Sequence, residues 1–195
     1  LRLDSGGGDL VVSLATFDNL LKVFRVGNDG SLSQTDSESL VGSNFTELTY
    51  YDAPGFTTDY AYVSESGANR IRIFALDTVN GTVDELATGS PVANAFESPG
   101  AMETLGDRLF VLNPQANPGV DEDDNMNAYN INPATGRLSS TGFIWGVGDG
   151  PVGIHAVGTF LYVGNQISAD ITAYRVSQAS DFLTALNGGV PYPAG

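Results

Sequence analysis

The sequence predicts an all-β chain in which one unit of four short antiparallel strands is repeated four times. The first observation is a six-residue strand pattern that occurs four times, always with an aromatic residue in fourth place. These aromatics lie 50, 55 and 45 residues apart and are Phe24, Phe74, Tyr129 and Tyr174. The second observation is an apolar strand before each aromatic, marked by valines 51, 48 and 52 residues apart: Val12, Val63, Val111 and Val163. Self-similarity at a period of about 50 residues is typical of repeat architectures.

Each repeat contains four predicted strands, which we name a, b, c and d in chain order. Strand a is expected near residues 1–6, 47–51, 101–107 and 152–158. Strand b is the apolar strand marked by the valines, and strand c carries the aromatic residue. A turn then leads to strand d, and in the first three repeats Gly30, Gly81 and Gly136 supply the positive φ that a hairpin needs. The fourth repeat has Ser177–Asp181 instead, without glycine, so we expect a longer or irregular hairpin there.

Four antiparallel strands in roughly 40–50 residues are typical of one blade of a β-propeller. One twisted sheet cannot bury both of its faces, whereas sheets packed around an axis bury them and leave only short edges. Helical periodicity is nearly absent, and only residues 179–186 could form a short helix. The predicted fold class is therefore an all-β β-propeller with four four-stranded antiparallel blades. We expect one domain over 1–195, with blades at 1–43, 44–97, 98–148 and 149–195.

Composition excludes several classes of partner and site. The net charge of −15, from 23 acidic and 8 basic residues, argues against nucleic acid and against anionic membrane surfaces. The chain has no cysteine, which excludes disulfides, cysteine metal sites and a cysteine nucleophile. It also lacks a phosphate-binding loop, a dinucleotide fingerprint and a Gly-x-Ser-x-Gly elbow. We therefore expect no cofactor and no metal.

The cellular compartment is only weakly indicated by the sequence. The chain begins with Leu and has no signal peptide, which we interpret as a processed or truncated product. Two glycosylation sequons, at Asn44 and Asn80, fall in predicted loops, where acceptor sites would lie. These sequons favour an extracellular or secreted protein, and a cytoplasmic one is the alternative.

Three segments of the fourth repeat, Gly150–His155, Phe160–Gln166 and Ile171–Val176, together resemble a blade of the lactonase-type seven-bladed propellers. That family includes 6-phosphogluconolactonase-like proteins and the fungal carboxymuconate cyclases. Its Thr-Gly-x-Leu hairpin is present as Thr135–Leu138. Seven blades need about 350 residues. The resemblance therefore implies part of a larger propeller, completed by a missing segment or a second chain, and the tail 190–195 is expected to lead into a further strand a.

The resemblance also implies a substrate held in the central channel by polar side chains of strand a. His155, the only histidine, and Glu103 both lie on predicted strands a and are the catalytic candidates, as general acid or base. A hydrogen-bonded structural histidine and a solvated glutamate are the alternatives that the residues leave open. The ends of strand b nominate three substrate-binding residues at the rim of the channel: Glu65, Asn113 and Asn165. Ser66 and Gln166 stand where the family often has an acid or amide. Ser66 departs from that pattern, which puts a carried-over catalytic role at this position in question.

Two functions follow as hypotheses, and whether the protein is an enzyme stays open. The first is a lactonase-like propeller that hydrolyses or cyclises a lactone or a related carboxylated small molecule in the central channel. The alternative is a non-catalytic secreted or surface propeller that binds a glycan or a protein. The acidic run Asp121–Asn125 lacks the spacing of a calcium loop, so we expect a solvated insertion there.

Overall fold

The computed structural model describes residues 2–3, 10–42, 44–94, 96, 98–114, 124–177 and 183–194. These residues form four antiparallel sheets together with two single-turn 3-10 helices, at Ser66–Ala68 and Asn187–Gly189. The predicted all-β class with four antiparallel sheets is confirmed. Neither helix of the described residues has the length and apolar character needed to cross a membrane.

The first two sheets follow the predicted strand order. The first sheet contains β1 (Arg2–Leu3), β2 (Leu10–Ala15), β3 (Leu20–Val26) and β4 (Leu32–Ser39). The second sheet contains β5 (Phe45–Tyr51), β6 (Thr58–Glu65), β7 (Arg70–Asp77), β8 (Thr82–Glu85) and β9 (Val92–Ala93). In the second sheet β7 pairs with both β8 and β9, so the position of strand d is shared by two short strands.

The third and fourth sheets repeat this plan. The third sheet contains β10 (Met102–Thr104), β11 (Arg108–Asn113), β12 (Asn125–Ile131) and β13 (Leu138–Gly146). The fourth sheet contains β14 (Pro151–Val157), β15 (Phe160–Asn165), β16 (Asp170–Val176), β17 (Leu183–Ala185) and β18 (Tyr192–Pro193). Leu183–Ala185 is therefore a strand rather than part of a short helix. The irregular hairpin expected at Ser177–Asp181 lies almost wholly outside the described residues.

The chain tail differs from the expectation of a loop leading to a new strand a. Tyr192–Pro193 pairs with Asp170–Ile171 of β16. In the same way, Val92–Ala93 pairs with Arg70–Ile71 of β7. The expectation of a loop is therefore wrong for Tyr192–Pro193, because strand d is interrupted and its second part also pairs with strand c. That the tail leads into a further strand a stays a prediction.

The hairpins between strands b and c show which residues are equivalent. Their closing pairs are Ala15 with Leu20, Glu65 with Arg70, Asn113 with Asn125, and Asn165 with Asp170. Counting four residues on from the first residue of strand c reaches Phe24, Phe74, Tyr129 and Tyr174. The aromatic residues are therefore equivalent, as predicted.

The predicted equivalence of the four valines of strand b is wrong in the first sheet. Counting two residues back from the end of strand b reaches Val63, Val111 and Val163, but it reaches Ser13 in the first sheet rather than Val12. A shift of one residue along a strand turns the side chain to the opposite face. Val12 is accordingly buried and Ser13 is exposed.

The described chain separates into two compact units, each with its own apolar core. The first unit comprises Leu1–Ala93 and Asn132–Arg137, and the second comprises Asn94–Ile131 and Leu138–Gly195. The core of the first unit packs Leu10, Val12, Leu21 and Val23 of the first sheet with Ala61, Val63, Phe74 and Leu76 of the second. The core of the second unit packs Phe110, Leu112, Met126 and Ala128 of the third sheet with Leu161, Val163, Tyr174 and Val176 of the fourth. The blade limits predicted above stay predictions.

Burial of the equivalent aromatics is not uniform. Phe74, Tyr129 and Tyr174 are buried, whereas Phe24 is only half-buried. Phe24 pairs with Val11, so it lies on the face of the first sheet opposite to the one that forms the core. The expectation of extensive burial is therefore confirmed for Phe74, Tyr129 and Tyr174, and Phe24 is less completely covered than these three.

Candidate functional site

The two catalytic candidates occupy the same position on the strands a of the third and fourth sheets. Glu103 pairs with Phe110 across β10 and β11, and His155 pairs with Tyr162 across β14 and β15. Phe110 and Tyr162 each stand three residues before the end of strand b. This equivalence explains why residues 52 positions apart in sequence meet, with Nδ1 of His155 lying 3.8 Å from Oε2 of Glu103.

The Glu103–His155 pair is accessible to solvent. The side chain of His155 is 76% exposed and that of Glu103 is 24% exposed. At 3.8 Å the two groups form an ion pair when the imidazole is protonated, and the separation exceeds that of an ordinary hydrogen bond. An imidazole can act as an acid or a base in proton transfer.

Beside His155, two paired glycines form part of one face of the fourth sheet. Gly153 and Gly164 pair directly, two residues along from His155 and Tyr162, and therefore lie on the same face. A Cβ atom built on either glycine would meet no atom within 4 Å, so there is open space above both. Tyr162, which is 38% exposed, borders this space. Tyr162 is not among the predicted site residues, although counting residues around the hairpin between β14 and β15 identifies it as the cross-strand neighbour of His155.

The three predicted rim residues at the ends of strand b are buried rather than presented at a surface. Glu65 and Asn113 are each 1% exposed, and Asn165 is 4% exposed. Each donates or accepts a hydrogen bond with the first residue of the following strand c, which is Arg70, Asn125 or Asp170. The last residue of strand b therefore carries a buried polar group in three sheets. Its partner is an arginine in the second sheet, an asparagine in the third and an aspartate in the fourth. Their predicted role in substrate binding stays a prediction.

In the second sheet the buried group is the carboxylate of Glu65, shared by two arginines. Arg70 donates to it from Nε at 2.5 Å and from Nη2 at 3.0 Å, and Arg72 donates from Nε at 3.1 Å. Arg72 also donates to Glu85 at 2.8 Å and to the carbonyl of Val41. The charges within this cluster balance, as a buried ionic group requires.

In the third sheet the equivalent group is an amide network centred on Asn113. Its Nδ2 donates to Oδ1 of Asn125 at 2.8 Å and to Oδ1 of Asn127 at 2.9 Å. Its Oδ1 accepts from Asn94 at 2.7 Å. Oδ1 of Asn94 accepts in turn from the hydroxyl of Tyr129 at 2.8 Å. The equivalent aromatic of strand c is therefore a tyrosine whose polar end is bound within the network.

In the fourth sheet Asn165 is only partly satisfied. Its Nδ2 donates to Asp170 at 2.7 Å and to Thr172 at 3.0 Å. Its Oδ1 is buried and has no hydrogen-bond partner among the described residues. Gly148 packs so closely that a Cβ atom there would lie 2.5 Å from Nδ2 of Asn165. The acceptors on Asp170 and Thr172 thus orient the amide nitrogen.

The family assignment comes from comparison with known proteins. The family described as lactonase, 7-bladed beta-propeller, matches residues 54–195. This chain belongs to that family. The resemblance noted in the sequence is thereby confirmed, and no match was found among curated proteins.

Solved structures share the fold of this lactonase-family chain at low sequence identity. A protein from Lactobacillus plantarum is 18% identical, with a TM-score of 0.67 over 94% of this chain and 54% of its own. The periplasmic gluconolactonase of Pseudomonas aeruginosa is 21% identical, with a TM-score of 0.65 over 98% of this chain and 54% of its own. A putative 6-phosphogluconolactonase from Bacteroides fragilis is 14% identical, with a TM-score of 0.56 over 99% of this chain and 70% of its own. The chain thus spans about half the length of the first of these structures.

One cavity of the lactonase-family chain includes a predicted site residue. It measures about 440 Å³ and lies along the hairpin between β15 and β16. Its lining combines apolar groups with an amide and a carboxylate: Val152, Gly164, Asn165, Gln166, Asp170, Ile171 and Ala194. It is a shallow depression that is largely open to solvent. Gly164, which lies on the same face of the fourth sheet as His155, also lines this cavity.

The acidic run of the lactonase-family chain contributes little to the described site. Residues 121–123 lie outside the described residues, so the expectation of a solvated insertion stays a prediction. Asp124 accepts a hydrogen bond from the N–H of Gly150 at 2.7 Å, which links the start of β12 to the entry of β14. Among the residues that the structure describes, no group of three or more acidic or histidine side chains is placed to hold a metal ion.

Proposed function

We propose that this chain belongs to an enzyme that hydrolyses a lactone, with Glu103 and His155 as its reacting pair in the central channel of the propeller. The observation that carries the proposal is the distance of 3.8 Å between Nδ1 of His155 and Oε2 of Glu103, on equivalent strands. Family membership supports a lactone substrate, as do the names of two proteins of similar fold, a gluconolactonase and a putative 6-phosphogluconolactonase.

The proposed reaction uses the imidazole first as a base and then as an acid. Neutral His155 takes a proton from water as the water oxygen adds to the lactone carbonyl carbon, which gives a tetrahedral oxyanion. The bond between that carbon and the ring oxygen then breaks, and the ring oxygen takes the proton from the imidazolium. The product is the open hydroxy acid, so lactone and water are fully accounted for. In this proposal the carboxylate of Glu103 faces the imidazole as its positioning partner.

The test is lactone hydrolysis by the intact full-length protein, measured by acid release from D-glucono-δ-lactone. His155→Ala is expected to lower kcat/KM by about 100-fold or more, the usual scale for a general acid or base. Glu103→Gln is expected to lower it less, because the imidazole remains. Val157→Ala is the control, because Val157 lies on the same strand and is 56% exposed. Circular dichroism of each variant checks that the fold is intact.

Unchanged turnover in His155→Ala would exclude His155 as the catalyst. If the intact protein hydrolyses no lactone, the proposal fails and a glycan- or protein-binding propeller becomes the better hypothesis. One observation favours that second candidate: Phe17, in the turn between β2 and β3, is 99% exposed. A binding propeller should lose affinity for its partner in Phe17→Ala, whereas a lactonase should keep its turnover in that variant.

A further inference from the structure

Arg70 and Arg72, the two arginines bound to Glu65, differ in how many of their nitrogens donate hydrogen bonds within the protein. It begins β7, and its side chain is 31% exposed. Its contacts with Glu65 use one N–H of Nε and one of Nη2, along one side of the guanidinium. A guanidinium has five N–H donors in a fixed planar fork. Three donors therefore remain, two on Nη1 and one on Nη2, and no described residue accepts from Nη1.

Arg72 shows what a purely structural arginine looks like in the same cluster. Its side chain is only 8% exposed, and all three of its nitrogens donate to protein acceptors. The ring of Phe45 lies 5.7 Å from its Cζ atom. The two remaining donors of Arg72 are therefore buried with its side chain, whereas Arg70 has an unused edge at the surface.

Glu65 holds the Arg70 guanidinium in a fixed orientation. Its side chain is 1% exposed and accepts from both arginines. Gly42 lies so close to it that a Cβ atom at position 42 would be 2.0 Å from Oε1. A carboxylate confined in this way keeps the partner guanidinium in place, and pre-organisation of this kind lowers the entropy cost of binding a ligand.

We propose that Arg70 is a binding site for the carboxylate group of a small molecule, which it contacts through the edge formed by Nη1 and Nη2. Two parallel N–H donors on one planar group match the two oxygens of a carboxylate. Glu65 is the positioning residue of this site and does not contact the ligand. The site contains neither Glu103 nor His155, so it goes beyond the proposed function.

The equivalent positions of other sheets support this division of roles. In three sheets the residue ending strand b is buried and bonded to the residue that begins strand c. The residue beginning strand c is the less buried member of each pair: Arg70, Asn125 and Asp170. Of these three residues only Arg70 has a guanidinium, so it alone can donate two parallel hydrogen bonds to a carboxylate.

The experiment is a nuclear magnetic resonance titration of the protein with D-gluconate, with D-glucose as the uncharged counterpart. We expect saturable shifts with gluconate, including the side-chain Nε–H signal of Arg70, and none with glucose. Arg70→Met should weaken gluconate binding at least about tenfold, and Arg70→Lys at least about threefold, because lysine keeps the charge but loses the planar edge. Arg175→Met is the matched control, because it removes the same charge from an exposed arginine stacked 5.3 Å from Phe160. Its binding should stay within about twofold of wild type.

Three results would overturn the proposal. One is the absence of saturable gluconate binding by the wild-type protein. Another is an equal loss of binding in Arg70→Met and Arg175→Met, which would indicate attraction by net charge alone. The third is wild-type affinity in Arg70→Lys, which also decides the matter if Arg70→Met fails to fold. None of these readouts depends on lactone turnover, so failure here leaves the proposed function untouched, and the reverse also holds.

Discussion

Asp59 is a carboxylate that folding removes almost completely from water, since only 5% of its surface remains exposed. Its Oδ2 accepts a hydrogen bond from the hydroxyl of Tyr50 at 2.5 Å, and its Oδ1 accepts from the N–H of Ala53 at 3.0 Å. Burial raises the pKa of Asp59, and these two hydrogen bonds lower it by a smaller amount. Burial also raises the pKa of Tyr50, reinforced by its hydrogen bond to Asp59. The hydrogen bond between Tyr50 and Asp59 joins β5 to β6, and it requires the carboxylate of Asp59 to be removed from water.

This arrangement predicts a pH dependence of stability with a definite sign. Because the pKa of Asp59 is raised in the folded protein, the folded state binds its proton more tightly than the unfolded state does. Its contribution to stability should be fully present below the ordinary Asp pKa of about 3.9 and should be lost as pH rises through the raised value. The free energy of unfolding of wild type relative to Asp59→Asn should therefore increase as pH falls through that window. Urea titrations at several pH values measure it.

Two further measurements make this prediction specific to Asp59. Tyr50→Phe should raise the pKa of Asp59 further, because it removes the largest effect that lowers it. Carbon NMR of the Asp59 carboxyl reports that pKa directly. A difference between wild type and Asp59→Asn that is flat from pH 4 to 8, or that changes in the opposite direction, would contradict the prediction.

At the scale of the element, the four strands c show how one sequence pattern acquires different energetic roles. Phe74 and Phe24 are equivalent in register, but Phe74 is fully buried in the core of the first unit and Phe24 is half-buried on the opposite face of its sheet. Tyr129 instead places its hydroxyl in the amide network of Asn94. Equivalent position therefore does not imply equal contribution to stability.

We expect Phe74→Ala to lower the free energy of unfolding by about 3–5 kcal/mol, because it leaves a cavity in a packed core. Phe24→Ala is the matched control and should cost less than about half as much, because less of its ring leaves water on folding. The measurement is the denaturant midpoint and slope of each variant. A loss below about 1 kcal/mol for Phe74→Ala, or an equal loss for the two variants, would show that the described burial does not govern stability.

At the scale of the whole molecule, the dominant property is a net charge of −15 on 195 residues. Only eight basic residues offset 23 acidic ones, and two of those eight, Arg70 and Arg72, are bound to Glu65. Like charges distributed over a folded protein repel one another, and dissolved salt screens this repulsion within about 10 Å at 0.1 M. Self-repulsion should therefore be a measurable part of the stability of this protein.

The thermal midpoint should rise as sodium chloride increases from about 10 to about 200 mM at pH 7, since screening weakens the repulsion. The same series near pH 4 should be flatter, because many carboxyl groups are then protonated. Calorimetry at both pH values measures the two slopes. A midpoint that falls with salt at pH 7 would mean that attraction within ion pairs outweighs the overall repulsion.

The sequence predicted much of the fold because hairpin pairing is local. The period, the four strands b and c and the equivalence of the aromatics could all be read from spacing, and the family from its motifs. The proximity of Glu103 and His155 could also be predicted, because equivalent residues of neighbouring repeats on strand a come close together. Cross-strand pairing further identifies Tyr162 as the neighbour of His155, by counting residues around a short hairpin.

The sequence by itself therefore determined the repeat, the all-β class, the family and the pairing of strands a to d. It did not predict the second short strand that pairs with strand c in the second and fourth sheets. Only the tertiary structure decided that Glu65, Asn113 and Asn165 are buried, that Arg70 presents an edge, and that Phe24 is half-covered. The physical reason is the range of the interactions. Strand pairing joins residues separated by a short turn, whereas burial depends on which other sheet covers a face, and that sheet lies about 50 residues away or more. Alternation along a strand assigns each side chain to a face, but it does not show which of the two faces another sheet will cover.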